Sequence, residues 1–200
     1  MANHSFVRKD RFYQKAKKEG YPARSAYKIV ELSKKYNIFK KGNTVIDLGA
    51  APGGWFKVGL DAMMGNGKLV GIDLLPLNLA TPQNAFFLQA DFTEESTQNW
   101  IKEQCPHGAH WVISDLSPNI TGIKFKDTCA SYELATMALN FARSVLKPHG
   151  GFLCKVFPGG ELDDLKKDIK TSFKQFKIVI PEATRKSSTE LYIIGSDFMG

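Results

Sequence analysis

The chain has 200 residues, 43% of them hydrophobic and 24% charged, and its formal net charge is +7. This length and composition suit one globular domain, residues 1–200, with a full hydrophobic core. No apolar run approaches the roughly 20 residues that would span a membrane, and the N-terminus lacks the apolar centre of a secretory signal. We therefore expect neither membrane association nor export.

Cysteine usage indicates a reducing compartment. Cys105, Cys129 and Cys154 stand in no paired spacing, which fits a cytoplasmic protein without a disulfide framework. His107 and His110 follow Cys105 closely enough to suggest a metal site, but a polar loop before a strand explains the segment better. We expect no bound metal.

The positive charge is concentrated at the N-terminus. Residues 1–41 carry a net charge of +9, whereas the other 159 residues carry −2. Aromatic residues are interleaved with these cations, namely Phe12, Tyr13, Tyr21, Tyr27 and Tyr36. Because cations neutralise phosphates and aromatic rings stack on unpaired bases, residues 1–41 are predicted to bind nucleic acid beside a core over residues 42–200. The alternative is a solvated face that only aids solubility.

Within the basic segment the first dozen residues are predicted to be loose, and Pro22 to Tyr36 has the apolar period of a helix. From Asn43 onward, short apolar runs alternate with helical patterns. The predicted strands are 44–48, 68–72, 85–89, 110–114, 151–156, 175–180 and 190–195, and the predicted helices are 54–64, 94–103, 129–147 and 160–173. This alternation predicts a seven-stranded, mostly parallel sheet with helices on both faces. Only residues 181–189 separate the last two strands, so we expect the last strand to be antiparallel.

The segment from Val45 to Trp55, VIDLGAAPGGW, predicts a strand, a glycine-rich turn and a helix. In α/β proteins this corner holds nucleotide-like ligands. Its glycines do not follow the G-x-G-x-x-G pattern of dinucleotide sites, and no Gly-Lys-Ser/Thr follows, which excludes a phosphate loop. The spacing favours a nucleoside without phosphates, and S-adenosylmethionine is the first candidate; a purely structural turn is the alternative. Together the corner and the sheet predict an α/β, Rossmann-like methyltransferase.

An acidic residue stands at or just after the end of each of the first four predicted strands. These residues are Asp47, Asp73, Asp91 and Asp115. Ligands of open α/β sheets lie at the carboxyl ends of the strands, where these acids are expected to meet. There Asp73 can accept from both ribose hydroxyls of an adenosine, and Asp91 can accept from an exocyclic amine. A single such acid is often only part of a turn, but four in succession favour a binding site.

Lys155 lies in an apolar strand, GFLCKVFP, where a lysine is costly unless its charge is paired or lost. A lysine that reaches out from a strand end is the alternative. Asp115 and Glu190 are expected at the same sheet edge, and Lys28 on the early helix can complete the set. We assign Lys155 as the base for a hydroxyl, Lys28 as the neighbouring positive charge, Asp115 as the group that orients Lys155, and Glu190 as the group that holds the lysines.

The chain resembles the FtsJ/RrmJ family of S-adenosylmethionine-dependent RNA 2′-O-methyltransferases, most of all its bacterial members that act on ribosomal RNA. The resemblance covers nearly the whole chain. The matching motifs are Arg24–Lys28 (RSAYK), Asp47–Trp55 (DLGAAPGGW), Asp73–Pro76 (DLLP), Asp91–Phe92 (DF), Ser114–Asn119 (SDLSPN), Lys155–Phe157 (KVF) and Ser187–Tyr192 (SSTELY).

The resemblance implies a Lys-Asp-Lys-Glu catalytic tetrad at Lys28, Asp115, Lys155 and Glu190. It implies cofactor-binding positions at Gly53, Trp55, Asp73, Asp91 and Asp115. The implied activity is methylation of a uridine 2′-oxygen in 23S rRNA of the large ribosomal subunit, by a cytoplasmic protein that we expect to be a monomer. Two segments depart from the family pattern outside the tetrad: Pro158-Gly159-Gly160 and Ile120-Thr121-Gly122.

Three alternatives stay open at this point. Family members also act on tRNA or on other RNA. A small-molecule methyltransferase would explain the glycine corner and the acids, but neither the basic segment nor Lys155. An RNA-binding factor without turnover would explain the basic segment, but not an intact tetrad.

Overall fold

A computed structural model describes residues 11–200. Residues 1–10, with Arg8 and Lys9 of the basic segment, lie outside the described part of the chain. The helices are α1 (Arg11–Glu19), α2 (Ala26–Tyr36), α3 (Gly54–Met63), α4 (Glu95–Gln104), α5 (Lys124–Val145) and α6 (Leu162–Ser172). The strands are β1 (Thr44–Leu48), β2 (Lys68–Asp73), β3 (Ala85–Gln89), β4 (Ala109–Ser114), β5 (Leu146–Val156), β6 (Phe173–Val179) and β7 (Leu191–Phe198).

The strands form one sheet in the order β3-β2-β1-β4-β5-β7-β6. All neighbouring pairs from β3 to β5 are parallel, and β7 runs antiparallel to both β5 and β6. The mostly parallel, seven-stranded sheet with an antiparallel last strand is therefore confirmed. The chain order reverses between β1 and β4, so their carboxyl ends form the switch point where α/β sheets bind ligands.

Both faces of the sheet are covered, because successive residues of the central strands point to opposite sides and both sets are apolar. In β1, Ile46 and Leu48 join the core beneath α4, α5 and α6, whereas Val45 joins the core beneath α2 and α3. Helix α2 buries Ile29 and Leu32 completely in that second layer. This packing places the start of α2 near the carboxyl edge of the sheet.

Several boundaries differ from the predictions. Helix α2 begins at Ala26 rather than at Pro22, and strand β7 continues to Phe198 rather than ending at residue 195. Residues 11 and 12, which were predicted to be loose, begin α1, a nine-residue and mostly polar helix that buries only Ala16. Helix α5 begins at Lys124 rather than at residue 129 and ends at Val145. Strand β5 begins at Leu146, ahead of a Pro-His-Gly-Gly run that has the composition of a turn, and its register with β4 is irregular there.

Candidate active site

Lys155 and Asp115 meet at the carboxyl edge of the sheet. Ser114 of β4 lies opposite Cys154 of β5, so the next residue of each parallel strand reaches the same edge. Lys155 Nζ donates to the backbone oxygen of Asp115 at 2.8 Å and lies 3.2 Å from Asp115 Oδ1. The Lys155 side chain is only 8% exposed. A buried lysine thus has its polar end anchored on one aspartate, as the strand-end argument predicted.

Lys28 and Glu190 form the second pair. Lys28 lies in the first turn of α2 and Glu190 immediately precedes β7, yet Lys28 Nζ donates directly to Glu190 Oε1. Each of these two side chains is 12% exposed. Breaking a pair this well shielded would leave a poorly hydrated charge without a partner. Because that costs free energy, both side chains are held in place.

Tyr192 joins the two pairs. It lies opposite Lys155 in the β5–β7 ladder and is completely buried. Its hydroxyl donates to Asp115 Oδ1 at 3.1 Å, and Lys28 Nζ is 5.7 Å from the centre of its ring. Burial first, and then the charges of Asp115 and Glu190, raise the pKa of Tyr192 well above its ordinary value. The phenol is therefore a permanent hydrogen-bond donor to Asp115.

The four residues of the predicted tetrad are thus brought together as two charged pairs around one tyrosine. Tyr192 is not among the predicted site residues, because a tyrosine in an apolar strand is typical of a core. Its place two residues after Glu190 was the available signal, since alternate strand residues share a face.

A cavity of about 280 Å³ opens at the switch point, and we call it the cofactor cavity. Its wall comprises Gly49, Ala51, Ile72, Asp73, Leu74, Leu75, Ala90, Asp91, Phe92, Thr93, Asp115, Leu116, Ser117 and Leu134. Three carboxylates stand among apolar side chains, and no lysine or arginine of residues 11–200 lines the wall. This combination fits a positively charged nucleoside such as S-adenosylmethionine and argues against a phosphate-bearing ligand.

Backbone groups fix two of these carboxylates. Asp73 Oδ2 accepts from the Ala51 N–H and Oδ1 from the Leu75 N–H, both at 2.9 Å. Asp91 Oδ1 accepts from the N–H and the hydroxyl of Thr93, both at 2.8 Å. Each Asp73 oxygen keeps a second lone pair, and neither of these bonds uses Asp91 Oδ2, so both aspartates can still accept from ribose hydroxyls or an amine.

Asp47, the acid of the first strand, does not line this cavity. It is completely buried, and neither of its carboxylate oxygens has a hydrogen-bond partner within residues 11–200. Burial, followed by the negative charges of Asp115 and Asp73, raises the pKa of Asp47 well above its ordinary value. Both causes favour the protonated form of Asp47, which adds no negative charge beneath the cavity.

Two glycines of the glycine-rich turn lie against other segments of the protein. Gly49 has a φ of 85°, and a Cβ added there would lie 2.9 Å from the Leu116 nitrogen. Gly53, which immediately precedes α3 and has a φ of 110°, would place a Cβ 2.6 Å from Leu79 Cδ1. These glycines let the turn close against neighbouring segments that flank the cavity.

Gly53 and Trp55, two of the predicted cofactor positions, lie beside the cavity rather than in its described wall. Trp55 is 2% exposed, and its indole N–H donates to the Ser25 oxygen at 3.1 Å. Its ring packs against that of Tyr192 with centroids 5.7 Å apart. Trp55 therefore ties the glycine turn to α2 and to the tyrosine of the site.

A second concavity of about 410 Å³ lies next to the Lys28–Glu190 pair, and we call it the basic cleft. It is lined by Arg24, Ser25, Lys28, Arg185, Ser187, Ser188 and Glu190. Cations and hydroxyls together suit a sugar–phosphate backbone. The tetrad thus lies between a cavity lined by acids and a cleft lined by cations.

The basic segment docks onto α2 through its aromatic residues. The rings of Phe12 and Tyr21 pack on the ring of Tyr27, with centroids 5.5 and 5.7 Å apart. The Tyr27 hydroxyl donates to Glu19 at 2.6 Å. These three rings therefore pack on one another within the protein. Tyr13 stays 44% exposed on α1 and lines a shallow surface with Gln14, Lys17 and Lys18.

His110, one of the two histidines of the suggested metal segment, makes a structural contact. His110 Nδ1 accepts from the Thr44 N–H at 2.8 Å, and burial lowers the pKa of His110. Within residues 11–200, no group of three or more His, Cys, Asp or Glu side chains is arranged to hold a metal ion. Nor is any helix of that part of the chain long and apolar enough to cross a membrane.

Comparison with known proteins gives a consistent match. The sequence profile of the FtsJ-like methyltransferase family matches residues 21–198. A protein of Coxiella burnetii named ribosomal RNA large subunit methyltransferase E is 41% identical over 197 residues, which cover 96% of this chain and 92% of that protein. A protein of the same name from Methanobrevibacter smithii is 39% identical over 189 residues, covering 94% of this chain and 90% of its own.

Solved structures agree with the fold. One solved structure is that of a Plasmodium falciparum protein named as a ribosomal RNA methyltransferase. It superposes with a TM-score of 0.78 at 26% identity, and the match covers 90% of this chain and 100% of that chain. Aeropyrum pernix fibrillarin, solved with S-adenosyl-L-methionine, gives a TM-score of 0.55 at 14% identity, covering 86% and 76% of the two chains. At that identity, fibrillarin supports the fold alone.

Proposed function

The chain belongs to the family of FtsJ-like methyltransferases, and on that premise we propose that it methylates a ribose 2′-oxygen of a uridine in large-subunit ribosomal RNA. The names of its relatives support ribosomal RNA of the large subunit as the substrate. The observation that carries the proposal is the Lys155 amine, held on Asp115 between the acid-lined cofactor cavity and the basic cleft.

Lys155 is the proposed base. A neutral amine has two N–H donors and one lone pair. The backbone oxygen and Oδ1 of Asp115, at 2.8 and 3.2 Å from Nζ, are acceptors for both N–H groups. The lone pair is then left for the proton of a ribose hydroxyl. The low exposure of the side chain keeps competing water away from the amine.

Lys28 and Glu190 support this step from the cleft side. As the hydroxyl loses its proton, negative charge develops on oxygen, and the Lys28 ammonium can stabilise it. Glu190 holds Lys28 in position through their direct ion pair. Tyr192 keeps Asp115 oriented through its hydroxyl, so that Lys155 is aimed by a buried framework.

The proposed cofactor is S-adenosylmethionine, with Asp73, Asp91 and Asp115 as its charged neighbours in the cofactor cavity. When bound, it supplies an electrophilic methyl group on a sulfonium that is already a good leaving group. Gly53 and Trp55 stay proposed as cofactor positions through the turn that they anchor. A monomer in the cytoplasm remains our expectation from the sequence.

Methyl transfer from labelled S-adenosylmethionine to purified large ribosomal subunits tests the proposal. We expect label in ribosomal RNA at an alkali-resistant linkage, because a 2′-O-methyl group removes the hydroxyl that attacks the phosphate. Lys155→Met should lose the transfer while still binding the cofactor. Lys167→Met is the matched control, because Lys167 is exposed and forms a surface ion pair with Asp164 at 3.1 Å.

Other outcomes would replace the proposal. Label on a base, on free tRNA or on a small molecule would assign a different acceptor. Tight binding of RNA without any transfer would favour an RNA-binding factor without turnover.

A further inference from the structure

An exposed apolar and basic segment follows Asp115 without being used by the site described above. We call residues 119–126 the Phe125 loop; it ends in the first turn of α5. Ile120, Ile123 and Phe125 are 59%, 52% and 71% exposed. Lys124 and Lys126 alternate with them, are exposed, and have no ion-pair partner within residues 11–200. Three large apolar side chains within six residues, all facing water, are characteristic of a binding surface.

The Phe125 loop is held in shape before any partner arrives. Asp127 Oδ1 accepts from the backbone N–H and the hydroxyl of Thr121, both at 2.8 Å, and Oδ2 accepts from the Gly122 N–H at 3.1 Å. The Thr128 hydroxyl donates to the Phe125 oxygen at 2.9 Å. A loop ordered in advance loses little conformational entropy on binding.

The Phe125 loop lies at the catalytic end of the molecule. Asp115 and Ser117, just before it, line the cofactor cavity. Just after it, Thr128 packs on the segment that follows Lys155, because a Cβ added at Gly159 would lie 2.8 Å from Thr128 Cβ. The Cys129 thiol donates to Glu161 in the same segment at 3.3 Å. The two departures from the family pattern, around Ile120 and around Gly159, are therefore neighbours in the fold.

We propose that the Phe125 loop binds unpaired bases of the substrate RNA beside the target nucleotide. Phe125 stacks on a base, and Lys124 and Lys126 neutralise the phosphates on either side of it. Aromatic rings flanked by cations suit single-stranded RNA, because every base has a face for stacking and every linkage a charge. A ribosomal protein is the other conceivable occupant, but the alternating lysines favour phosphates. The inference rests on the proposed function, which brings an RNA strand to this edge.

Equilibrium binding tests the proposal independently of catalysis. The probe is a short fluorescent oligouridylate, with an RNA duplex for comparison. Phe125→Ala should weaken binding of the single strand about 5- to 150-fold, and Phe125→Trp should retain it. Met64→Ala is the control, since Met64 is 73% exposed but lies at the end of α3, away from the carboxyl edge. Lys124→Gln/Lys126→Gln should lower the slope of log affinity against log salt by about 1.4.

Unchanged affinity of Phe125→Ala for the oligouridylate would overturn the proposal. The proposal would also be overturned if Phe125→Ala lost equal affinity for the single strand and the duplex and Phe125→Trp did not restore it. The two proposals fail separately. If the wild type methylates a ribose but Phe125→Ala binds normally, only the loop proposal falls. If Phe125→Ala loses binding but no ribose is methylated, only the proposed function falls.

Discussion

Removing one hydroxyl from the centre of the site should cost stability and activity together. The change is Tyr192→Phe, which deletes the hydrogen bond to Asp115 Oδ1 and leaves the buried ring in place. Tyr36→Phe is the matched control. The Tyr36 hydroxyl is buried as well, but it has no hydrogen-bond partner within the part of the chain that the structure describes.

The size of the effect follows from the two environments. A hydrogen bond to a charged group contributes about 1.5–3 kcal/mol. The lower end applies here, because Asp115 keeps Lys155 at 3.2 Å and its side chain is 19% exposed. In a domain of this size, a loss of about 1.5 kcal/mol lowers the melting temperature by about 3–6 °C. Tyr36→Phe removes a hydroxyl without a partner, so its melting temperature should change by less than about 2 °C.

Thermal unfolding and single-turnover methyl transfer measure both consequences. Tyr192→Phe should lose part of its rate with little change in cofactor affinity, because Asp115 is held less firmly against Lys155. Equal melting temperatures and equal rates for the two phenylalanine variants would refute the reasoning. So would a larger loss for Tyr36→Phe than for Tyr192→Phe.

Further predictions concern the buried acid, the glycine turn and helix α1. Because the pKa of Asp47 is raised in the folded state, the folded protein keeps a proton that the unfolded chain releases above pH 3.8. The stability of the wild type therefore falls as pH rises from 3.8 towards the pKa of the folded state. The free energy of unfolding of Asp47→Asn, measured in urea, should therefore rise relative to that of the wild type as pH increases, by at most about 1.4 kcal/mol per pH unit. Parallel pH profiles of the two proteins would contradict this. Gly49→Ala should destabilise more than Gly65→Ala, because both have positive φ but only Gly49 meets backbone at 2.9 Å; equal melting temperatures would show that the contact does not matter. Lys17→Gln/Lys18→Gln should lower the salt slope of RNA binding by about 1 to 2, and an unchanged slope would remove α1 from the RNA contact.

The sheet and most of the site could be predicted because both depend on the direction in which the strands run. Strand ends carry Asp115, Lys155 and Glu190, and parallel strands end at one edge. Once the antiparallel last strand was deduced from its short connection, Glu190 had to enter at that same edge. The assignment of Lys28 had less support, because no local sequence pattern relates the first turn of α2 to Glu190, which lies 162 positions later.

What could not be predicted depends on side-chain packing between distant segments. Helix α1 is short and mostly polar, and the ring of Phe12 holds it against Tyr27. Tyr192 has the pattern of a core residue until Asp115 is placed beside its hydroxyl. Gly53 faces Leu79 across a turn whose path the sequence does not specify. In each case the deciding contact joins residues with no regular spacing between them.

Chemical rescue of Lys155→Ala tests most directly whether this amine takes the ribose proton. In single turnover with large ribosomal subunits and saturating S-adenosylmethionine, the variant should be about 10²–10⁴-fold slower than the wild type. Added small primary amines, which can occupy the space left by the side chain, should restore part of the rate in proportion to their concentration. A wild-type rate in the unrescued variant, with cofactor and RNA bound, would contradict the account.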